Sequence, residues 1–251
     1  MSPIYPTLNY EQPLWDSGYT QIAGIDEAGR GAWAGPVCAA ALILPPDPTI
    51  LDTLDQVRDS KLMTPRSRLA WAPRIRLAAL AWGVGFASSQ EIDTIGILPA
   101  TKLAATRALA SLSTSPNSPA LPPLSPASLS SAFIPYSSVP LSPAPTPLSP
   151  SPFSLLPSPL FPDYLLTDFL LFPNLDLPQT ALIKGDQLSL SIAGASVLAK
   201  TARDALMRLA DDQYPGYSFA QHKGYGTRLH QQSIRQLGLC EIHRKSFSIR
   251  Y

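Results

Sequence analysis

Apolar runs of strand length alternate along the chain with longer segments in which apolar positions recur at helical spacing. Gln21 to Asp26 and Val37 to Leu44 are two such runs, separated by the Gly-rich turn GRGAWAGP, and this pattern predicts an antiparallel hairpin. Ala81 to Ala87 reads as a third strand. Between the second and third, Thr64 to Ala79 opens with Pro65 at a helix start and continues with mixed Arg, Ala and Leu; Ala100 to Leu112 is a second Ala/Leu-rich helical segment. Farther on, Tyr164 to Thr167 and Thr180 to Ile183 are short apolar strands, and Leu188 to Ala210 is a long helix. A hairpin plus a third strand, followed by alternating strand and helix, predicts an α/β fold: a mixed sheet covered by helices.

Proline interrupts this pattern in one place. Fifteen of the 28 prolines fall between Ala108 and Pro162, a 55-residue stretch with no charged residue and no glycine. Its Ser-Pro and Pro-x-Pro steps, as in Leu141-Ser-Pro-Ala-Pro-Thr-Pro147, remove backbone donors and favour extended polyproline conformations. The expected organisation is an N-terminal arm (1–20), one catalytic domain in two pieces (21–112 and 163–251), and a Pro/Ser-rich insertion (113–162). The total of 251 residues suits one α/β domain with an appendage better than two folded domains.

Charge adds little, since 19 Lys and Arg nearly balance 18 Asp and Glu; any affinity for nucleic acid must come from a local patch. Cys38 and Cys240 form no zinc-ligand spacing, which suggests a reducing compartment. The first twenty residues lack the basic start and apolar core of a secretory signal, and no ordinary spanning segment is evident. A cytoplasmic protein, monomeric and without membrane contact, is expected.

The acidic residues carry the chemistry. Asp26 and Glu27 end an apolar strand, Asp168 ends the strand YLLTD, and Asp186 follows ALIKG just before the long helix. Neighbouring side chains of a straight strand point to opposite faces, so Asp26 and Glu27 serve one site only if the backbone bends, and Gly29 and Gly31 supply that freedom. Four carboxylates at strand ends, far apart in sequence, suit a hard divalent cation with oxygen ligands. Any one of them could instead cap a turn or helix, and Asp186, with Ser189 nearby, is the most open to that reading. Asp59, Asp93, Asp163 and Asp176 read as loop or cap residues.

The segment GIDEAGRGAWAGP resembles the opening motif of the type 2 ribonucleases H. The likeness continues in family order through RDSK (Arg58 to Lys61), the strand ending in Asp168, KGD (Lys184 to Asp186), SIAGASVLAKTARD (Ser191 to Asp204) and YPGYSFAQHKGYGT (Tyr214 to Thr227). The resemblance implies a ribonuclease H-like mixed sheet with a helical C-terminal extension, and it places Asp26, Glu27, Asp168 and Asp186 on the family's four active-site carboxylates. It further implies an endonuclease that cuts the RNA strand of RNA·DNA hybrids and incises 5′ of ribonucleotides embedded in duplex DNA, leaving 5′-phosphate and 3′-hydroxyl ends. Two Mg²⁺ or Mn²⁺ ions would act together in that reaction, about 3.5–4 Å apart. Departures from the family pattern are Trp33, Phe169 and Gly194; the proline tract lies outside it altogether.

Substrate residues follow from the same likeness. The Gly29-Arg30-Gly31 turn is expected to approach the 2′-hydroxyl through its backbone, and Tyr225 matches the tyrosine that meets the next sugar. Ser196, Lys200 and Arg203, at i, i+4 and i+7 on the long helix, are expected to share one face and contact phosphate. Lys61 and Lys184 read as structural charge partners, and His222, His230 and His243 show no ligand spacing. Two other functions compete: a different nucleotidyl transferase of the same fold, and an interaction protein whose Pro-rich tract docks in aromatic grooves of a partner.

Overall fold

The computed structural model describes residues 5–112 and 161–250. Most of the expected Pro/Ser-rich insertion, 113–160, lies outside the described residues. Five strands, β1 (Ile22–Ala28), β2 (Val37–Ile43), β3 (Ala81–Ala87), β4 (Tyr164–Asp168) and β5 (Gln179–Leu182), form one sheet in the order β3-β2-β1-β4-β5. The first three are antiparallel neighbours, whereas β4 runs parallel to β1 and β5 parallel to β4. This is the mixed sheet expected from the hydrophobic pattern, with the hairpin at its centre.

Eight helices accompany the sheet among the described residues: α1 (Glu11–Asp16), α2 (Ile50–Thr53), α3 (Pro65–Ala78), α4 (Ser89–Ile95), α5 (Ile97–Ala110), α6 (Leu190–Gln213), α7 (Phe219–His222) and α8 (Arg228–Leu237). None is long and apolar enough to cross a membrane.

The period of two decides which helix each strand residue meets. Ala28, Cys38, Ala40 and Leu42 face α3 and α6, packing with Ile75, Val197 and Leu198. Ala23, Ile25, Ala39, Ala41 and Ile43 face α5, packing with Ala100, Ala104 and Ala108. All seven residues of β2 are buried, and its alanines let helices approach from both sides. Two glycines make closer approaches still. A Cβ on Gly24 would collide with the Ser191 backbone of α6, and one on Gly85 with the Ala104 carbonyl of α5. Gly194, the departure on α6, leaves room for the Leu42 side chain.

Local signals set the helix ends. Thr64 accepts from the Ser67 amide with Pro65 in the first turn of α3, and Ser88 forms a capping box with Glu91 at the start of α4. The segment expected as an arm is docked on the domain. Thr7 bridges to Ser189, and buried Glu11 accepts hydrogen bonds from the Ser189 hydroxyl (2.6 Å), the Ser191 hydroxyl (2.7 Å) and the Ser191 amide (3.0 Å). A carboxylate thus closes the N-terminus of α6, the helix that follows Asp186.

Candidate active site

Asp26, Asp168 and Asp186 reach one point because β1 and β4 are parallel neighbours and β4 leads back, through β5, to a tight turn. One carboxylate oxygen from each lies within 4.8 Å of the others. The Gly185 amide donates to Asp168 Oδ1 at 2.8 Å, and Lys184 takes a left-handed φ of 59° to bring the Gly185–Gln187 turn round. Phe169, the departure next to Asp168, is also left-handed (φ 66°), the conformation a glycine adopts without strain, and its ring is exposed.

Electrostatically the cluster is unfavourable as it stands. Burial, then the charges of Glu27, Asp168 and Asp186, raise the Asp26 carboxyl well above its usual range. Burial and the neighbouring Asp59 push Asp186 up to about 6, against the pull of Lys61. Asp26 Oδ1 accepts the Glu27 amide at 2.7 Å, but buried Oδ2 has no hydrogen-bond partner among the described residues. Lys61 Nζ stands 3.5 Å from Asp186 Oδ2 on a largely exposed side chain, too little cation for two buried acids and a half-buried one. An orphaned carboxylate oxygen in a nest of oxygen donors, with no His or Cys among them, fits a hard divalent ion such as Mg²⁺ or Mn²⁺.

Glu27 stands outside this group. The strand continues straight to Ala28, pairing Asp26 with Ala40 and Glu27 with Ala39, so Glu27 leaves from the opposite face of β1. The bend expected beside it comes only after Ala28. Its carboxylate pairs with Arg30 at 3.1 Å; burial nonetheless raises it, with Arg30 opposing and Asp168 adding to the rise.

Beside the acids opens a cleft of about 560 Å³, walled by Glu27, Gly29, Arg30, Gly31, Lys61, Lys200 and Tyr225, with Phe247 from the C-terminal segment. Gly29-Arg30-Gly31 and Tyr225 therefore line one cleft, together with Glu27. Lys200 Nζ sits 5.4 Å from the Tyr225 ring centroid and is held by Asp204 at 2.7 Å.

Ser196 and Arg203 depart from the expectation of a shared phosphate face. Ser196 is buried and donates to the Ser60 hydroxyl at 2.8 Å. Arg203 is fully buried, donating through Nε to the Pro36 carbonyl (2.9 Å), through Nη1 to that of Lys223 (2.9 Å) and through Nη2 to that of Ala34 (3.1 Å). The physical reason is that this side of α6 is covered by the sheet and by the loops at 29–36 and 223–226, whose carbonyls need donors. Gly29, at φ 95°, lies so close that a Cβ would strike the Arg203 side chain.

Sequence reasoning missed several supporting groups. Asp59 accepts from Gln187 (3.2 Å) and from the Lys61 amide, holding the segment that carries Lys61 against the Asp186 turn. Arg244 lies buried behind the Gly29 to Gly35 loop. Trp33 packs on Gly226, where a Cβ would collide with its ring. The sequence cue for the first was Asp59 within RDSK; no local pattern marks Arg244.

Comparison with known proteins matches this geometry. The family model described as Ribonuclease HII matches residues 23–128 and 171–250. A ribonuclease HII of Synechococcus sp. (strain JA-3-3Ab) is 40% identical over 247 residues, 98% of this chain and 89% of the relative. Among solved structures, the ribonuclease H2 from Pyrococcus horikoshii OT3 superposes with a TM-score of 0.60 at 19% identity, covering 91% of this chain and 94% of that one. Bst-RNase HIII in complex with Mn²⁺ gives 0.54 at 17% identity, covering 92% of this chain and 68% of that one; both structures share the fold. A metal-fitting carboxylate cluster, a glycine-lined cleft and a likeness that spans nearly the whole sequence agree on one assignment: the chain belongs to the ribonuclease HII family and is a metal-dependent ribonuclease H endonuclease.

Proposed function

We propose that this chain cuts the RNA strand of RNA·DNA hybrids and incises on the 5′ side of single ribonucleotides embedded in duplex DNA, with Asp26, Asp168 and Asp186 holding the divalent ions and Glu27 completing the set from the cleft wall. The observation that carries the reading is the orphaned, buried Asp26 Oδ2 within the three-carboxylate cluster beside the Gly29-Arg30-Gly31 turn. Bound Mg²⁺ or Mn²⁺ supplies activation of a water and stabilisation of the leaving 3′ oxygen.

The protein's own residues select and hold the substrate. Gly31 has open space where a side chain would be, so a sugar can approach the turn closely. Lys200 and Arg30 bring positive charge to the wall of the cleft, which suits phosphate contacts beside an acidic centre. Tyr225, half-buried beneath Lys200, offers a flat surface to the neighbouring sugar. Both cysteines are free, in keeping with action in the reducing cytoplasm.

The test is cleavage of a DNA duplex carrying one ribonucleotide, beside an all-DNA control and a long RNA·DNA hybrid, with Mg²⁺ and then Mn²⁺. Incision 5′ of the ribonucleotide with no cutting of the control is expected. Cutting of the all-DNA duplex at a comparable rate would instead favour another nucleotidyl transferase of the same fold.

A further inference from the structure

We infer that Arg244 is a positioning residue for ribonucleotide recognition: its buried guanidinium aims the Arg30 and Gly31 amides into the cleft. The inference rests on the reading above that the Gly29-Arg30-Gly31 turn meets the 2′-hydroxyl.

Arg244 is fully buried and has no carboxylate partner among the described residues. Burial, and then the neighbouring positive charge of Arg203, pull it down to about 9. Two buried guanidinium groups side by side are costly, and a fold retains them where each nitrogen finds an acceptor. Arg244 uses its three nitrogens on one loop. Nη2 donates to the Gly29 carbonyl at 2.7 Å, Nη1 to that of Arg30 at 2.8 Å and Nε to that of Gly35 at 3.0 Å. A planar fork with fixed donor directions thereby holds three carbonyls of a seven-residue loop.

The consequence lies in the geometry of the peptide unit. In a trans peptide the carbonyl of one residue and the amide of the next point in opposite directions. With the Gly29 and Arg30 carbonyls turned inward onto Arg244, the amides of Arg30 and Gly31 are turned outward. Neither amide has an acceptor among the described residues, and both residues line the cleft. Two donors are thus presented to a 2′-oxygen by a group that never touches the substrate. Arg203 anchors the far end of the same loop through Ala34 and Pro36, and reaches the Tyr225 segment through Lys223. A lysine at 244 would keep a charge but lacks the fork.

The experiment compares kcat/KM on two single-ribonucleotide duplexes, one natural and one with 2′-fluorine in place of the hydroxyl, for the wild type and for Arg244→Lys. Fluorine keeps the sugar pucker and is a poor acceptor. The wild type is expected to prefer the hydroxyl, and Arg244→Lys to lose roughly tenfold of that preference, the scale of two neutral hydrogen bonds. Duplex affinity measured in Ca²⁺ should change less than about twofold, because phosphate contacts are untouched. Equal losses on both duplexes would overturn the role of Arg244 while leaving the recognition reading intact. No preference in the wild type would overturn the recognition reading itself. Should Arg244→Lys not fold, nuclear magnetic resonance on the wild type decides. Separate, slowly exchanging Arg244 Nη signals are expected, together with Arg30 and Gly31 amides that exchange fast until the ribonucleotide duplex binds. Averaged Nη signals, or amides already protected in the free protein, would refute the inference.

Discussion

The Gly185 amide donates to Asp168 Oδ1 at 2.8 Å, so the end of β4 and the turn that presents Asp186 are fastened by one carboxylate. An asparagine at 168 can keep this bond through its carbonyl oxygen while losing the charge. Asp168→Asn should therefore fold normally and lose at least about 100-fold in cleavage at saturating Mg²⁺, the scale expected when several kcal/mol of charge stabilisation is removed. Turnover within a factor of a few of the wild type would remove Asp168 from the metal set.

Asp26→Asn should separate activity from stability. In the metal-free protein the Asp26 carboxylate is buried, repelled by three neighbouring acids and left with an unpartnered Oδ2. Removing that charge should raise the melting temperature of the metal-free protein by a few degrees, while Mg²⁺ or Mn²⁺ loses its stabilising effect and cleavage is abolished. Thermal melts with and without metal check both halves, and an unchanged shift on metal addition would place the ion elsewhere.

Two cations on one helix should behave differently. Lys200 borders the cleft, so Lys200→Ala is expected to weaken duplex binding and lower the salt-dependence slope by roughly one. Arg203→Ala leaves three buried carbonyls without their donor and should instead cost about 3 kcal/mol or more of stability. Binding measured against salt in Ca²⁺, with urea melts of both variants, tells them apart. A salt slope reduced by Arg203→Ala in a fully folded protein would return that residue to the phosphate contacts.

The difference between Lys200 and Arg203 also shows where the sequence stops being informative. Spacing of i, i+4 and i+7 fixes how Ser196, Lys200 and Arg203 stand relative to one another, but not which part of that face is covered by loops distant in sequence. Asp26, Asp168 and Asp186 were legible because strand ends and a turn before a helix place carboxylates in recognisable positions, and the parallel pairing of β1 with β4 then gathers them. The side of the sheet taken by Glu27 depended on whether the strand bends at residue 27, which the glycines at 29 and 31 left open; the strand runs straight to Ala28. The third strand was legible because Trp82, Val84 and Phe86 alternate with small residues in AWGVGFA, a period of two that ends at Ser88-Ser89. Arg244 was not, since its partners lie more than 200 residues earlier.

Tyr225→Ala should discriminate between substrates. Its ring forms one wall of the cleft, with Lys200 Nζ and Arg203 Cζ 5.4 and 5.3 Å from its centroid. A lost stacking surface of this kind costs about tenfold. The loss should fall mainly on a duplex with one ribonucleotide, because a long hybrid offers many registers to cut. Comparing kcat/KM on both substrates at one salt concentration checks this, and equal losses would reduce Tyr225 to general binding or packing.

Stability should respond to pH through a buried cluster of three histidines. His222, His230 and His243, far apart in sequence, meet around Phe219, with His222 and His230 stacked at 4.2 Å. Their hydrogen bonds are consistent with all three rings being neutral. Gly224 donates to His222 Nδ1 (3.1 Å), leaving His222 Nε2–H for the Tyr217 carbonyl (2.7 Å). His230 Nδ1–H donates to the Tyr225 carbonyl (3.0 Å), so its Nε2 accepts from His243 Nε2–H (3.1 Å), and His243 Nδ1 accepts the Cys240 amide (2.9 Å). Burial, chiefly, lowers all three, His230 and His243 to about 4. Their unfolded value is about 6.5, so between these two limits the unfolded chain binds more protons than the folded one, and stability rises with pH. The contribution is complete above about 6.5 and is lost as pH falls towards 4, amounting to a few kcal/mol. His243→Gln removes one of the titrating rings, so its stability should fall less steeply across that window than the wild type's. Urea melts at several pH values between 4 and 8 measure the difference, in which the opposing contribution of the acidic cluster cancels. Parallel curves would mean that His243 carries the same proton in the folded and unfolded chains, and the neutral network would have to be redrawn.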